Sequence, residues 1–138
     1  MAKLKWVILC EKALLEAGSN ALSLISMIEE VKIHGEPPPA SGKNRPMIPH
    51  RLAVVQFWVR SKEDTPETAE IRSRLIAPNG KVFATATQTV DLTTANGIRV
   101  ITNSPGFPWF GVGDYAVELQ TQTDGGRWRT AGREKFSV

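Results

Sequence analysis

The chain has 138 residues, of which 41% are hydrophobic and 22% charged, the size and balance of one soluble globular domain. A net charge of +3 is too small to indicate a nucleic-acid partner by itself. The single cysteine, Cys10, excludes an intramolecular disulfide, and no apolar run has the length of a signal peptide or membrane span. These features predict a cytoplasmic protein without membrane contact.

The first 33 residues contain two segments of ambiguous pattern. LKWVILCEKAL opens with β-type apolar residues and continues with good helix formers, and residues 20–33 fit either a helical stripe or a strand. We favour two strands joined at AGSN. A short helix near the N-terminus or in the following loop is the alternative. Residues 34–49 are proline-rich and without periodicity, which predicts a loop.

The segment HRLAVVQFWVRS predicts a strand that is apolar on both faces. We assign the face that begins at Ala53 to the core. A strand with two apolar faces is typical of a central strand or of one whose outer face is covered. We therefore expect the second face to associate with another protein or a second copy, most simply as a symmetric dimer. The residues of this predicted interface are Trp6, Leu52, Val54 and Trp58.

The second half of the chain predicts short strands separated by turns. Asn79-Gly80 tolerates the positive φ of a tight hairpin, and further Gly, Asn and Asp residues mark the other turns. Spacing of this kind is typical of a β-sandwich. The predicted strands are 69–77, 81–90, 98–102, 114–123 and 127–138.

Residues 1–138 are thus predicted to form a single all-β domain. We expect an antiparallel β-sandwich of seven to nine strands, with immunoglobulin-like Greek-key connections. The predicted core consists of Ala53, Val55, Phe57, Val59, Ile71, Leu75, Tyr115, Val117, Leu119, Trp128 and Phe136.

Catalytic chemistry finds little support in the sequence. A nucleophile needs a base within reach, but Cys10 lies in an apolar strand and His34 and His50 flank the proline-rich loop without a carboxylate pattern. One cysteine and two distant histidines match no zinc template. We predict no catalytic residue, no metal site and no cofactor. An enzyme whose polar groups converge only in three dimensions is the alternative.

The stretch SPGFPWFGVG places three aromatic rings between prolines and glycines. Because each such ring buries a large area, the favoured interpretation is a plug over one end of the core. The alternative is a carbohydrate- or ligand-binding platform formed by Phe107, Trp109 and Phe110, with Trp109 the most exposed of the three.

Basic residues recur on the predicted late strands. If these strands share a sheet, they form a solvated face with cross-strand ion pairs, which we favour over a nucleic-acid site because aromatic platforms between the charges are lacking. The residues concerned are Arg72, Arg74, Arg127, Arg129, Arg133 and Lys135.

The segments LKWVILCEKAL, SNALSLISMIEEV, HRLAVVQFWV, APNGKV, GDYAVEL and the final EKFSV together resemble a family of small, uncharacterised bacterial proteins. The resemblance covers nearly the whole chain. It implies an immunoglobulin-like β-sandwich of bacterial origin and carries over no catalytic or binding residue. Because no set of residues in the sequence suggests a catalytic site, we predict a non-catalytic protein-interaction or assembly module.

Overall fold

The computed structural model describes residues 1–35 and 45–138, and all regular elements in these ranges are β-strands. Two four-stranded antiparallel sheets have the orders β2-β1-β4-β7 and β10-β9-β5-β6, and β3 and β8 form a separate two-stranded ribbon. The strands are β1 (Lys3–Leu15), β2 (Leu22–Met27), β3 (Met47–Ile48), β4 (Leu52–Val59), β5 (Glu67–Ile76), β6 (Val82–Leu92), β7 (Gly97–Ser104), β8 (Phe107–Pro108), β9 (Asp114–Gln122) and β10 (Trp128–Ser137).

The predicted antiparallel β-sandwich is confirmed. The two sheets hold eight strands, within the predicted seven to nine, and the ribbon of two-residue strands raises the described total to ten. The N-terminal segment is two strands and no helix, because pairing with β4 and β2 overrides the helix propensity of its EKALLEA portion. Part of the predicted proline-rich loop, residues 36–44, lies outside the described residues.

The core between the sheets contains most of the predicted residues. Leu75 is half-buried against it, whereas Trp128 is not part of it, and the prediction for that residue is wrong. The Trp128 ring instead lies beneath the Arg72 guanidinium, 4.3 Å from ring centroid to carbon, on the outer face of the sheet. The predicted core residues confirmed as buried between the sheets are Ile71, Tyr115, Val117, Leu119 and Phe136. Ala53 and Val55 are also buried, but in a second cluster on the other face of β4.

The two faces of β4 are opposite to the prediction. Leu52, Val54 and Trp58 are buried in the core between the sheets. Ala53 and Val55 point the other way and form a second apolar cluster with Cys10. Phe57 and Val59 are half-buried, and Phe57 stacks on Trp6. Hydrophobic alternation gave the wrong orientation because both faces are apolar and the one polar residue of the strand, Gln56, lies on the face that is buried.

A buried polar bridge explains why the face bearing Gln56 turns inward. Gln56 is fully buried, and its side-chain oxygen accepts a hydrogen bond from Trp58 Nε1 at 2.8 Å. Its amide nitrogen donates to Ser73 Oγ at 3.2 Å. Since Ser73 belongs to β5, the bridge connects the two sheets and satisfies a polar side chain that would be costly to bury alone.

The β1–β2 hairpin lies across the outer face of the β2-β1-β4-β7 sheet. β1 pairs with β4 as far as Cys10 and then with β2, and Ser26 in β2 has a left-handed φ of 55°. At the hairpin turn, the Asn20 carbonyl oxygen accepts a hydrogen bond from Arg99 Nη2 at 2.7 Å. Because Arg99 lies on β7 at the far edge of the sheet, the hairpin must cross over β4 to reach it. We call residues 11–27 the hairpin cover.

The hairpin cover encloses the second apolar cluster. Ala13, Leu22 and Leu24 of the cover pack against Cys10 and Val55, which are both fully buried. Burial raises the pKa of the Cys10 thiol, which keeps the reactive thiolate scarce while the cover is closed.

We expect Arg99→Ala to loosen the hairpin cover and speed the labelling of Cys10 by dithionitrobenzoate. Loss of a charge-assisted hydrogen bond of about 1 kcal/mol corresponds to roughly fivefold faster labelling through local opening. Arg133→Ala is the matched control, since Arg133 is exposed on β10 and outside the cover. Equal labelling rates for both variants would contradict the role given to Arg99.

Candidate functional site

No catalytic group is predicted from the sequence, and the structure does not bring together the reactive side chains that were considered for one. Cys10 Sγ donates to the Lys12 carbonyl oxygen at 3.5 Å and is buried in the second apolar cluster. His50 Nε2 lies 3.3 Å from a Glu11 carboxylate oxygen, and its Nδ1 lies 2.9 Å from the Arg51 carbonyl oxygen. Residues 1–35 and 45–138 hold no group of three side chains suited to bind a metal ion. Cys10 and His50 are thus engaged with different partners and do not form a nucleophile–base pair.

The aromatic loop is a plug. Phe107 and Trp109 are buried, with Trp109 only 1% exposed, and Phe110 is half-buried against the core. The expectation that Trp109 is the most exposed ring is therefore wrong. Phe107 contacts the ring of Tyr115 edge-on at 5.3 Å between centroids and that of Phe136 at 5.4 Å. Rings packed in this way are not available as a platform for a sugar.

Backbone contacts hold the plug in place. The β3–β8 ribbon pairs Ile48 with Phe107, and the Trp109 amide donates to the Pro46 carbonyl oxygen at 2.8 Å. The Tyr115 hydroxyl accepts a hydrogen bond from the Phe110 amide at 2.8 Å and donates to the Gly111 carbonyl oxygen at 2.9 Å. Burial raises the pKa of Tyr115, which keeps this hydroxyl protonated and able to donate.

The predicted association surface does not exist as proposed from the sequence. Leu52, Val54 and Trp58 are core residues, and Trp6 is half-buried against Phe57. These four residues lie on two different faces of the sheet, so they cannot form one surface. Leu52 and Val54 do, however, reach the floor of a groove at the side of the sandwich.

This groove runs between β6 and β7, the facing edge strands of the two sheets. It has a volume of about 220 Å³ and no charged lining residue. Leu52, Val54 and Leu75 form its floor, while Ala84 and Ala86 of β6 form one wall. We call it the edge groove.

The other large concavities are more polar in character. One of about 440 Å³ is lined by Lys5, Arg60 and Glu63, and one of about 370 Å³ by Glu30, Lys32 and His34. The edge groove is smaller, but apolar side chains make up its floor. Binding sites for apolar groups are typically concave and apolar with few polar groups, which favours the edge groove.

β6 presents an unprotected backbone edge beside the groove. Residues Ala84 to Thr89 are all exposed, and none of them is charged or proline. β6 pairs with β5 on one side and is the last strand of its sheet. An exposed edge of this kind is a template for pairing with a further strand.

The opposite edge of the same sheet is protected. β10 carries Arg129, Arg133, Glu134 and Lys135, and its register with β9 shifts between Thr130 and Gly132. Charges and bulges on an edge strand discourage pairing with other chains. By contrast, the stretch Ala84–Thr89 of β6 carries neither a charge nor a shift in its register with β5, so β6 is the less protected edge of this sheet.

Three of the six predicted basic residues contact neighbouring strands on the outer face, and the Trp128 ring lies on the same face. Arg74 forms an ion pair with Glu118 at 3.6 Å, and Lys135 forms one with Asp114 at 3.7 Å. Arg72 donates to the side-chain oxygen of Gln120. Such pairs on the outer face of a sheet are the usual arrangement of a solvated surface.

The fold and the edge groove define an antiparallel β-sandwich in which the edge strand β6 is open and uncharged from Ala84 to Thr89. No family model matches the chain, and no curated protein or solved structure matches it either. The resemblance to small bacterial proteins therefore stays a prediction. No helix in residues 1–35 or 45–138 has the length and apolarity needed to cross a membrane.

The sequence did contain one signal for this site. FATATQTV alternates small and β-branched residues without a charge or proline over a long run, the pattern of an unprotected strand. Its position at a sheet edge, and the proximity of Leu52 and Val54, depend on strand order and could not be derived from that pattern.

Proposed function

We propose that this protein is a non-catalytic interaction module that binds an extended polypeptide segment as an additional strand at the edge of β6. The observation that carries the proposal is the exposed, uncharged stretch Ala84–Thr89 directly beside the edge groove. Pairing to the backbone of β6 supplies affinity for any extended chain. The groove supplies selectivity for apolar side chains.

The alternation of a strand sets the pattern expected in the bound segment. Residues that face Ala84 and Ala86 across the new pairing point to the groove side, above Leu75. Residues between them lie beside Thr85 and Thr87 on the solvated face. The preferred segment therefore alternates apolar with polar uncharged residues.

The proposal also includes an immunoglobulin-like topology and a cytoplasmic location. Strands β1, β4 and β7 face strands β10, β9, β5 and β6, and the Tyr115 hydroxyl bonds back to Gly111 as in a tyrosine corner, which supports an immunoglobulin-like sandwich. A cytoplasmic location is supported by the use of a single cysteine, which is buried as a thiol.

The proposed function is tested with a fluorescein-labelled peptide of alternating threonine and leucine flanked by lysines. We expect its fluorescence anisotropy to rise on titration with the protein, with a Kd of about 10–100 μM, in the range of small transient interfaces. Ala86→Lys places a charged side chain at the groove wall and is expected to weaken binding at least about tenfold.

Thr87→Lys is the matched control, because residue 87 lies on the same exposed strand but on its other face. It introduces the same charge away from the groove and is expected to change the affinity about twofold or less. Absence of binding up to about 1 mM peptide, or equal effects of the two lysines, would overturn the use of the edge groove.

A further inference from the structure

The polar bridge around Gln56 fixes the direction of each of its hydrogen bonds. An indole nitrogen can only donate, so the Gln56 atom that faces Trp58 Nε1 at 2.8 Å must be the amide oxygen. The Gln56 amide nitrogen, which also can only donate, then faces Ser73 Oγ at 3.2 Å. Ser73 Oγ therefore accepts in this bridge, and its own O–H proton points elsewhere.

The Ser73 hydroxyl thus has a proton to donate, and it lies at the edge groove. Within the described part of the chain, Ser73 Oγ makes the hydrogen bond with Gln56 and no other. Ser73 is half-buried and lines the groove beside its apolar floor. Because a half-buried donor has limited access to water, an acceptor on the occupant of the groove satisfies it best. The groove therefore favours an occupant that brings a hydrogen-bond acceptor to Ser73.

The strand register sets how far that acceptor has to reach. Ser73 on β5 is paired with Ala86 on β6, and both residues line the groove. A segment added at the free edge of β6 places the residue opposite Ala86 two strand spacings from Ser73, about 9–10 Å. The side chain of that residue has to lie over the small Ala86 methyl group, above the apolar floor, to reach the hydroxyl.

Tyrosine is the side chain that meets these requirements. Its ring is apolar, and its hydroxyl oxygen accepts a hydrogen bond at the far end of the ring. Serine, threonine, asparagine and glutamine end short of Ser73, methionine is a weak acceptor, and leucine and phenylalanine carry no acceptor. Glutamate would place a charge in a groove without a charged lining residue, which is costly.

We infer that the edge groove selects a tyrosine in the bound segment, at the position opposite Ala86, and that Ser73 is the residue that recognises the tyrosine hydroxyl. The inference rests on the proposed binding of an extended segment along β6. The ring covers Ala86 and the apolar floor, and its hydroxyl oxygen accepts the Ser73 proton. Ser73 is thus a specificity-determining residue, since it distinguishes tyrosine from phenylalanine by one hydrogen bond.

The test compares three labelled peptides that differ at one central position. Each alternates threonine and leucine between flanking lysines, and the central leucine is either kept or replaced by tyrosine or by phenylalanine. We expect the tyrosine peptide to bind the natural protein about three- to tenfold more tightly than the phenylalanine peptide, the gain from one hydrogen bond. Fluorescence anisotropy measures the Kd of each complex.

Three variants assign this preference to Ser73. Ser73→Ala removes the donor, and the ratio of the tyrosine and phenylalanine affinities is expected to fall to about one. The ratio is the readout because loss of the bridge to Gln56 weakens the binding of every peptide alike. Ser73→Thr keeps a hydroxyl at this position and is expected to preserve the ratio. Thr102→Val, the matched control, removes another hydroxyl that lines the groove and is expected to leave the ratio unchanged.

The outcomes separate this inference from the proposed function. Equal affinities of the tyrosine and phenylalanine peptides for the natural protein would overturn the inference, while binding of the leucine peptide would still support the proposed function. A tyrosine preference that persists in Ser73→Ala, or that is lost in Thr102→Val, would overturn the role given to Ser73. Failure of all three peptides to bind would overturn both the inference and the proposed function.

Discussion

Phe107→Ala is expected to lower the free energy of unfolding by about 3–5 kcal/mol, a large part of the stability of a domain this size. Phe107 is buried at the end of the sandwich, where its ring contacts those of Tyr115 and Phe136. Truncation removes this apolar area and leaves a cavity that the β3–β8 ribbon prevents from collapsing. Equilibrium unfolding in guanidinium chloride measures the loss.

The control is Val112→Ala, in the same loop region but 69% exposed. Its effect is expected to stay within about 0.5 kcal/mol.

The plug also predicts no change in tryptophan emission across a panel of soluble glycans, since Trp109 is buried. A small effect of Phe107→Ala combined with a glycan-dependent emission shift would favour the binding platform instead of the plug.

The fold class could be predicted because its signals are local. Strand and turn patterns in residues 69–138 depend on neighbouring residues, and the structure places β5, β6, β7, β9 and β10 close to the predicted positions. The hairpin at AGSN also forms as predicted, with Gly18 and Asn20 in left-handed conformations that these residue types tolerate.

The orientation of β4 could not be predicted because it depends on a partner from another sheet. Gln56 shares a face with Leu52 and Trp58, and a polar residue usually marks the face exposed to solvent. Here Trp58 and Ser73 satisfy the Gln56 side chain inside the core. Only the packing of β5 over β4 brings Ser73 within reach, so the sequence pattern of β4 alone pointed to the wrong face.

The candidate site was missed for a related reason. Aromatic and reactive residues are the side chains that mark a site in a sequence, whereas the edge groove is built mainly from alanine, threonine, serine and leucine side chains. Ala84 and Ala86 line a groove because they belong to the last strand of a sheet and lie next to a gap over Leu75. The edge position of β6 is set by the order of strands in the sheet, which depends on the whole fold and not on the local sequence.

Gln56→Leu is expected to lower the free energy of unfolding by about 2–3 kcal/mol. The change removes two hydrogen bonds and leaves the Trp58 indole N–H buried without its acceptor. A stranded buried donor costs about 1–3 kcal/mol, more than a typical hydrogen bond contributes when it is formed. Ser73→Ala removes the half-buried hydroxyl that accepts from the Gln56 amide, and it is expected to cost about 1–2 kcal/mol because that buried N–H loses its acceptor.

A double-mutant cycle separates the stranded N–H from simple loss of packing. Trp58→Phe is expected to cost about 1–2 kcal/mol less in the Gln56→Leu background than in the natural protein, because the unpaired donor is then removed too. Additive effects would show that the indole N–H does not depend on Gln56.

The same bridge has a consequence for binding, since Ser73 also lines the edge groove. If the bridge between Gln56 and Ser73 fixes the separation of the sheets, Gln56→Leu should weaken peptide binding at β6 in protein that is still folded. We expect a loss of about three- to tenfold, equivalent to about 1 kcal/mol of lost preorganisation, measured well below the unfolding midpoint. Unchanged affinity would mean that the β5–β6 edge keeps its geometry without the bridge.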